Sequence, residues 1–125
     1  RGMHSLAYSY SLGRGLPQDF GLAAEWWRKA IKAGSRQSLS DLGVLYQKGR
    51  GVPQDDQRAL ALFRKAAEAG IASGVSNLAF MYEEGLGVEK NLPEAVRLYR
   101  AAVAGGHPGA HEALEGILKT HPELR

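Results

Sequence analysis

The chain has 125 residues, 44% of them apolar and 23% charged, with a formal net charge of +3. Those values fit a folded domain, exclude a disordered chain and predict one compact unit. The absence of cysteine excludes a disulfide framework and a thiolate metal site, and no apolar run approaches the roughly 18 residues of a membrane span.

Met3, Leu6 and Tyr10 mark one face of a first helix that begins without a cap. The chain opens on Arg1 and not on methionine, so further repeats or another domain are expected upstream, and the compartment is left open. "YSLGRGLPQD" then runs from Tyr10 to Asp19. Two glycines one residue apart would suit either a phosphate-cradling loop or a turn. A phosphate loop wants a preceding strand and, in the P-loop form, a closing Gly-Lys-Ser/Thr. Helical patterns stand on both sides here, and the stretch recurs as "YQKGRGVPQD" at Tyr46–Asp55 and "YEEGLGVEKN" at Tyr82–Asn91, which favours a turn.

Asp19 is placed to cap the orphan N–H groups of a second helix carrying Trp26, Trp27 and Ala30, which Gly34 would end. Trp26 and Trp27 read as core between helices rather than as a stacking platform. The pattern returns with a period of 36: Leu42, Leu45 and Tyr46 on one helix, Gly49 and Gly51 in the loop, and Asp55 as cap. Ala59, Phe63, Ala66 and Ala67 follow on the next helix, which ends at Gly70. A third unit repeats it through Leu78, Tyr82, Gly85 and Gly87 to Asn91-Leu92-Pro93-Glu94, a capping box with proline in the first turn, and closes at Gly106. The units are therefore 1–34, 35–70 and 71–106, each two amphipathic helices. Residues 107–125 make a final polar-backed helix that caps the stack, with Pro108 at its first position, Ala110, Leu114, Ile117 and Leu118 inward, and His111, Glu112, Glu115 and Lys119 outward.

Little in the chain reads as chemistry. His107 and His111 have an i,i+4 spacing but no third ligand apart from Glu112. Asp55-Asp56 and Glu83-Glu84 point in different directions on a helix and fit a cap and a solvated face. No Ser/His/Asp order suggests a nucleophile with its base. Lys29, Arg64, Lys65, Arg97 and Arg100 lie mainly on the second helices and read as solvated surface. No catalytic residue, metal, cofactor or small-molecule substrate is expected.

The 36-residue period, the Gly-x-Gly loop and the motif residues Leu42-Gly43, Tyr46, Gly49, Gly51-Val52, Asp55, Ala59, Leu62-Phe63, Lys65-Ala66-Ala67 and Gly70 resemble the Sel1-like repeat family. Tetratricopeptide repeats, with a period of 34, are the nearest competitor. The resemblance covers residues 2 to about 118 and implies an all-α fold. The architecture the resemblance implies is an α-solenoid, a right-handed superhelix of antiparallel helix pairs, tetratricopeptide-like, with the first helices lining the concave side. It also implies a non-enzymatic scaffold or adaptor that binds a protein or peptide. Some members staple each helix pair with a disulfide, so nothing specific to those members is transferred to this cysteine-free chain. Ser38 and Gly74 stand where the family usually has alanine, which suggests close helix packing.

With Leu42, Leu45 and Tyr46 inward, the 100° step per residue puts Ser40, Val44 and Gln47 on the opposite side of their helix. His4, Tyr8 and Ser11, and Ser76, Phe80 and Glu83, are the equivalents. Tyr8, Val44 and Phe80 then form an apolar stripe on a face that should be polar, with Gln37, Asp41, Asn77 and Glu84 as a polar rim. These seven are the candidate partner-binding residues. Packing of the stripe against the neighbouring repeat would explain it equally. Two other readings stand beside it: nucleic-acid binding through the basic second helices, and a spacer or self-associating segment.

Overall fold

The computed structural model of the chain describes residues 2–125. Seven α-helices and a closing 3-10 turn make up its regular structure, with no strand among the described residues: α1 Gly2–Leu12, α2 Phe20–Lys32, α3 Gln37–Lys48, α4 Asp56–Glu68, α5 Ala72–Glu84, α6 Leu92–Ala104, α7 Ala110–Thr120 and the turn Pro122–Leu124. Consecutive helices pack on one another, α1 on α2 and α2 on α3, then α5 on α6 and α6 on α7.

The loops repeat atom for atom. Asp19 N–H donates to the Tyr10 carbonyl, Asp55 N–H to Tyr46 and Asn91 N–H to Tyr82, each at 2.9 Å. The same three residues then cap the helix that follows: Leu22 N–H donates to Asp19 Oδ1 at 3.0 Å, Arg58 N–H to Asp55 Oδ1 at 3.1 Å and Glu94 N–H to Asn91 Oδ1 at 3.0 Å. One side chain thus satisfies a donor that the first turn of a helix would otherwise leave unpaired, worth about 1 kcal/mol. Gly49 and Gly85 sit at φ +66° and +71° as left-handed C-caps, the turn role expected of the glycine loop. Second helices end on a shared pattern too, with Ser35 N–H donating to Ala30, Ile71 to Ala66 and His107 to Ala102.

Small residues let the helices approach. Ser38 is fully buried, and a Cβ on Gly74 would run into the Cβ of Ala66, so α5 can lie against α4 only with glycine there. Phe63, Trp27 and Tyr99, one period apart, are all buried in the core.

Three expectations need correction. The chain divides into two compact units, one running to Leu62 and the other starting at Phe63, rather than forming one. In a repeat array each element touches only its neighbours, so no single core gathers the whole chain. Trp26 is only half-buried, and Lys29 Nζ lies 4.4 Å from its ring centroid. Adjacent helical residues stand 100° apart, and only Trp27 faces inward. Pro108 precedes α7 in a turn, and Gly109, at φ +87°, is the N-cap. Ala110, Leu114, Ile117 and Leu118 are buried on the inner face of that helix, as the spacing predicts.

Candidate functional site

Within the first unit, α1 and α3 meet through a polar and aromatic cluster. His4 Nδ1 lies 2.8 Å from Ser38 Oγ, which is itself 2.9 Å from Ser35 Oγ. Tyr8 Oη donates to Asp41 Oδ1 at 3.4 Å, and the Tyr8 ring packs edge-on against Trp27 with centroids 5.7 Å apart. Burial raises the pKa of Asp41, while His4 and the Tyr8 hydroxyl pull it the other way. The Asp41 charge in turn raises the pKa of Tyr8.

Serine, histidine and aspartate therefore come together in space although no chain order announced them. The geometry does not make a nucleophile. Ser38 has no exposed surface, its hydroxyl is engaged on two sides, and His4 Nε2 stands 3.9 Å from Asp41, too far for a hydrogen bond. The cluster holds α1 to α3. Trp27 Nε1 is buried beside it without a hydrogen-bond partner, a cost of about 1–3 kcal/mol that the packing of the ring has to offset.

Of the candidate binding residues, Tyr8 is 42% and Phe80 38% exposed, whereas Val44 is half-buried. Gln37 and Glu84 are exposed, and Asp41 and Asn77 are half-buried. In the first unit the structure joins Tyr8 to Asp41. In the second, Asn77, Phe80 and Glu84 share one face of α5 by their i,i+3 and i,i+4 spacing. Ser40 departs from expectation: it is 3% exposed and not on an open face. Helix α3 meets α1 through Ser38 and Asp41 and α2 through Tyr46, so two of its sides are covered and the face left open is narrower than a single helical wheel suggests.

Glu83 does not sit on a merely solvated face. Tyr99 Oη donates to its carboxylate at 2.8 Å, and burial followed by that bond raises the pKa of the phenol. Two features were missed by sequence reasoning. Leu12 is 51% exposed, four residues beyond Tyr8 on α1, and extends its apolar face. Arg28 Nη2 donates to Tyr46 Oη at 2.7 Å and Arg64 Nη2 to Tyr82 Oη at 3.3 Å, a clasp between consecutive repeats that recurs with the period. The signal was present in the 36-residue spacing of Arg28 and Arg64 and of Tyr46 and Tyr82, but the pairing is visible only once helices are stacked.

Among the described residues no three His, Cys, Asp or Glu side chains gather closely enough to hold a metal, and no helix is long and apolar enough to cross a membrane.

The Sel1 repeat family model matches residues 1–35, 37–71 and 72–107, and the chain belongs to that family. A protective antigen present in uropathogenic Escherichia coli strains, with an SLR fold, superposes with a TM-score of 0.81 at 35% identity over 86% of this chain and 23% of its own. A Sel1 repeat protein from Oxalobacter formigenes gives 0.79 at 30% identity over 90% of this chain and 46% of that one. The chain thus spans less than half the length of either. Helicobacter pylori cysteine rich protein B, 22% identical, shares the fold, with a TM-score of 0.72 over 90% of this chain and 92% of that one. No curated protein matches the sequence with significance. The fold is the all-α solenoid of the Sel1 repeat, a family whose members are generally non-enzymatic protein-interaction scaffolds.

Proposed function

We propose that this chain is a non-enzymatic adaptor and that it docks a protein or peptide partner on its first helices, with Tyr8, Val44 and Phe80 as apolar anchors and Gln37, Asp41, Asn77 and Glu84 as polar rim. One observation carries the reading. The exposed large apolar side chains among the described residues are Tyr8, Leu12 and Phe80, all on first helices. Tyr8 and Phe80 stand two periods apart, at equivalent positions. A solvated helix face has no use for an aromatic at two such positions, whereas binding surfaces concentrate their energy in aromatic anchors ringed by polar groups. Tyr8 also serves the packing around Trp27, so its outer edge alone is offered to a partner.

The test is a comparison of captured proteins, quantified by mass spectrometry, between the chain and a Tyr8→Ser, Val44→Ser, Phe80→Ser variant that retains its helical circular dichroism. A Glu25→Gln, Lys65→Gln, Lys119→Gln variant serves as control. Partners lost from the first variant and kept by the second are the expected result. Identical sets from both variants would refute docking on the first helices.

A further inference from the structure

The first unit carries a second surface that none of Tyr8, Val44 and Phe80 lines. A shallow depression of about 240 Å³ opens between α2 and α4, walled by Arg28 and Arg58 and floored by Leu42, Tyr46, Ala61 and Leu62. The two guanidinium carbons lie 5.8 and 5.7 Å from the centroid of one ring, that of Tyr46. Arg28 spends one donor on the Tyr46 hydroxyl, and the guanidinium holds the phenol pKa below its ordinary value. Arg58 pairs through Nε with Asp55 at 3.3 Å, and its side chain remains 68% exposed. A guanidinium has five N–H donors in a planar fork, so both arginines keep donors free toward solvent. A second depression adjoins the first and shares Arg28, lined further by Glu25, Lys29 and Lys32. Along this surface four cations face two carboxylates, one of which is already paired with Arg58.

We infer that the depression between α2 and α4 binds an acidic peptide segment, the two arginines taking a carboxylate side chain and the floor of Leu42, Ala61 and Leu62 taking an apolar neighbour. The sign of the charge selects the occupant. A basic or purely apolar segment would leave two guanidinium groups facing it without partners, and a carboxylate meets them with charge-assisted hydrogen bonds. The apolar floor separates this surface from a simple phosphate track, where affinity comes from charge alone. None of Tyr8, Val44 and Phe80 lines it, so its success or failure is distinguishable from that of the stripe. Sequence makes the second repeat special here: the position of Arg58 is Leu22 one period earlier and Glu94 one period later. Glu94 binds Arg97 on its own helix at 2.6 Å, which neutralises that stretch of the next repeat.

Fluorescence anisotropy with a labelled peptide Gly-Ser-Glu-Leu-Glu-Ser-Gly, at low ionic strength, tests this directly. The full chain is compared with Arg28→Gln/Arg58→Gln, with Tyr46→Phe and with Lys65→Gln/Lys119→Gln, each checked by circular dichroism. Saturable binding is expected, weakened about tenfold or more by loss of the two arginines, as charge-assisted hydrogen bonds would predict. The Gln-for-Glu peptide is expected to bind about tenfold more weakly for the same reason. Tyr46→Phe frees the Arg28 donor and is expected to bind at least as well as the parent. If the double arginine variant fails to fold, Arg28→Lys/Arg58→Lys keeps the charge without the fork and is expected to bind several-fold more weakly. Absence of binding, equal loss in the Lys65/Lys119 control, or equal binding of the Gln peptide would each overturn the inference. A short single-stranded RNA that binds more tightly than the peptide and is lost with the same arginines would overturn it in favour of a nucleic acid.

Discussion

Gly15 and Gly51 occupy the same position in successive repeats and have the same backbone angle, φ +73°, yet they have different neighbours. A Cβ on Gly15 would meet nothing within 4 Å. On Gly51 it would collide with the backbone of Phe20 and Gly21 at the start of α2, and backbone cannot swing aside as a side-chain tip can. Substituting alanine at either position forces an L-residue into the left-handed region, at about 1–2 kcal/mol. At Gly51 the collision adds a further cost of about 1–3 kcal/mol, the usual range for overpacking. Gly15→Ala is therefore expected to lose about 1–2 kcal/mol and Gly51→Ala about 2–5 kcal/mol. On a unit of this size about 1 kcal/mol moves a thermal midpoint by roughly 4–8 °C, so the two variants should separate clearly. Circular dichroism melts and urea titrations, followed in parallel through Trp26 and Trp27 fluorescence, report the difference. Equal losses would refute the claim that the lack of a side chain at Gly51 is what lets the loop seat against the start of α2.

Trp27→Phe removes part of a buried ring together with an unpaired buried N–H, two effects that oppose each other. A loss of about 1 kcal/mol or less is expected, against about 3–5 kcal/mol for Trp27→Ala, and a Phe variant as unstable as the Ala variant would show the indole N–H to be satisfied in solution. Burial raises the pKa of Asp41, so the folded chain binds more protons than the unfolded one just above the ordinary carboxylate value near 4, and stability falls as pH rises through that window. Asp41→Asn keeps an acceptor for Tyr8 and should flatten that fall in urea midpoints measured across the acid range; an unchanged slope would remove Asp41 as its source. Tyr99→Phe leaves the Glu83 carboxylate without its donor and should cost about 1 kcal/mol, with Glu83→Gln recovering most of that loss in the double variant. Additive losses would show the pair to be uncoupled.

The elements were legible because their signals are local and repeated. Caps, left-handed glycines and inward apolar positions are set within about ten residues of chain, and each was stated three times. What was not legible depends on contacts made across a period. Nothing near Trp26 distinguishes it from Trp27 until α2 is docked. Ser40 is polar and lies opposite the apolar face of its own helix, yet it is buried in the folded chain. His4, Ser38 and Asp41 are 34 and 3 residues apart, and only the stacking of α1 on α3 makes a cluster of them. Arg28 and its partner Tyr46 lie 18 residues apart, and only the docking of α2 on α3 pairs them.

Positions that hold the array together have little freedom to vary from one repeat to the next, because each must fit the same neighbour in the same geometry. Tyr10, Tyr46 and Tyr82 carry one loop hydrogen bond, and Asp19, Asp55 and Asn91 carry the cap. The two proposed sites draw on positions where successive repeats differ. Tyr8, Val44 and Phe80 vary in size at one register; Leu22, Arg58 and Glu94 vary in charge at another. The first set lies on first helices and the second on second helices, so the two proposed sites draw on different registers of the repeat.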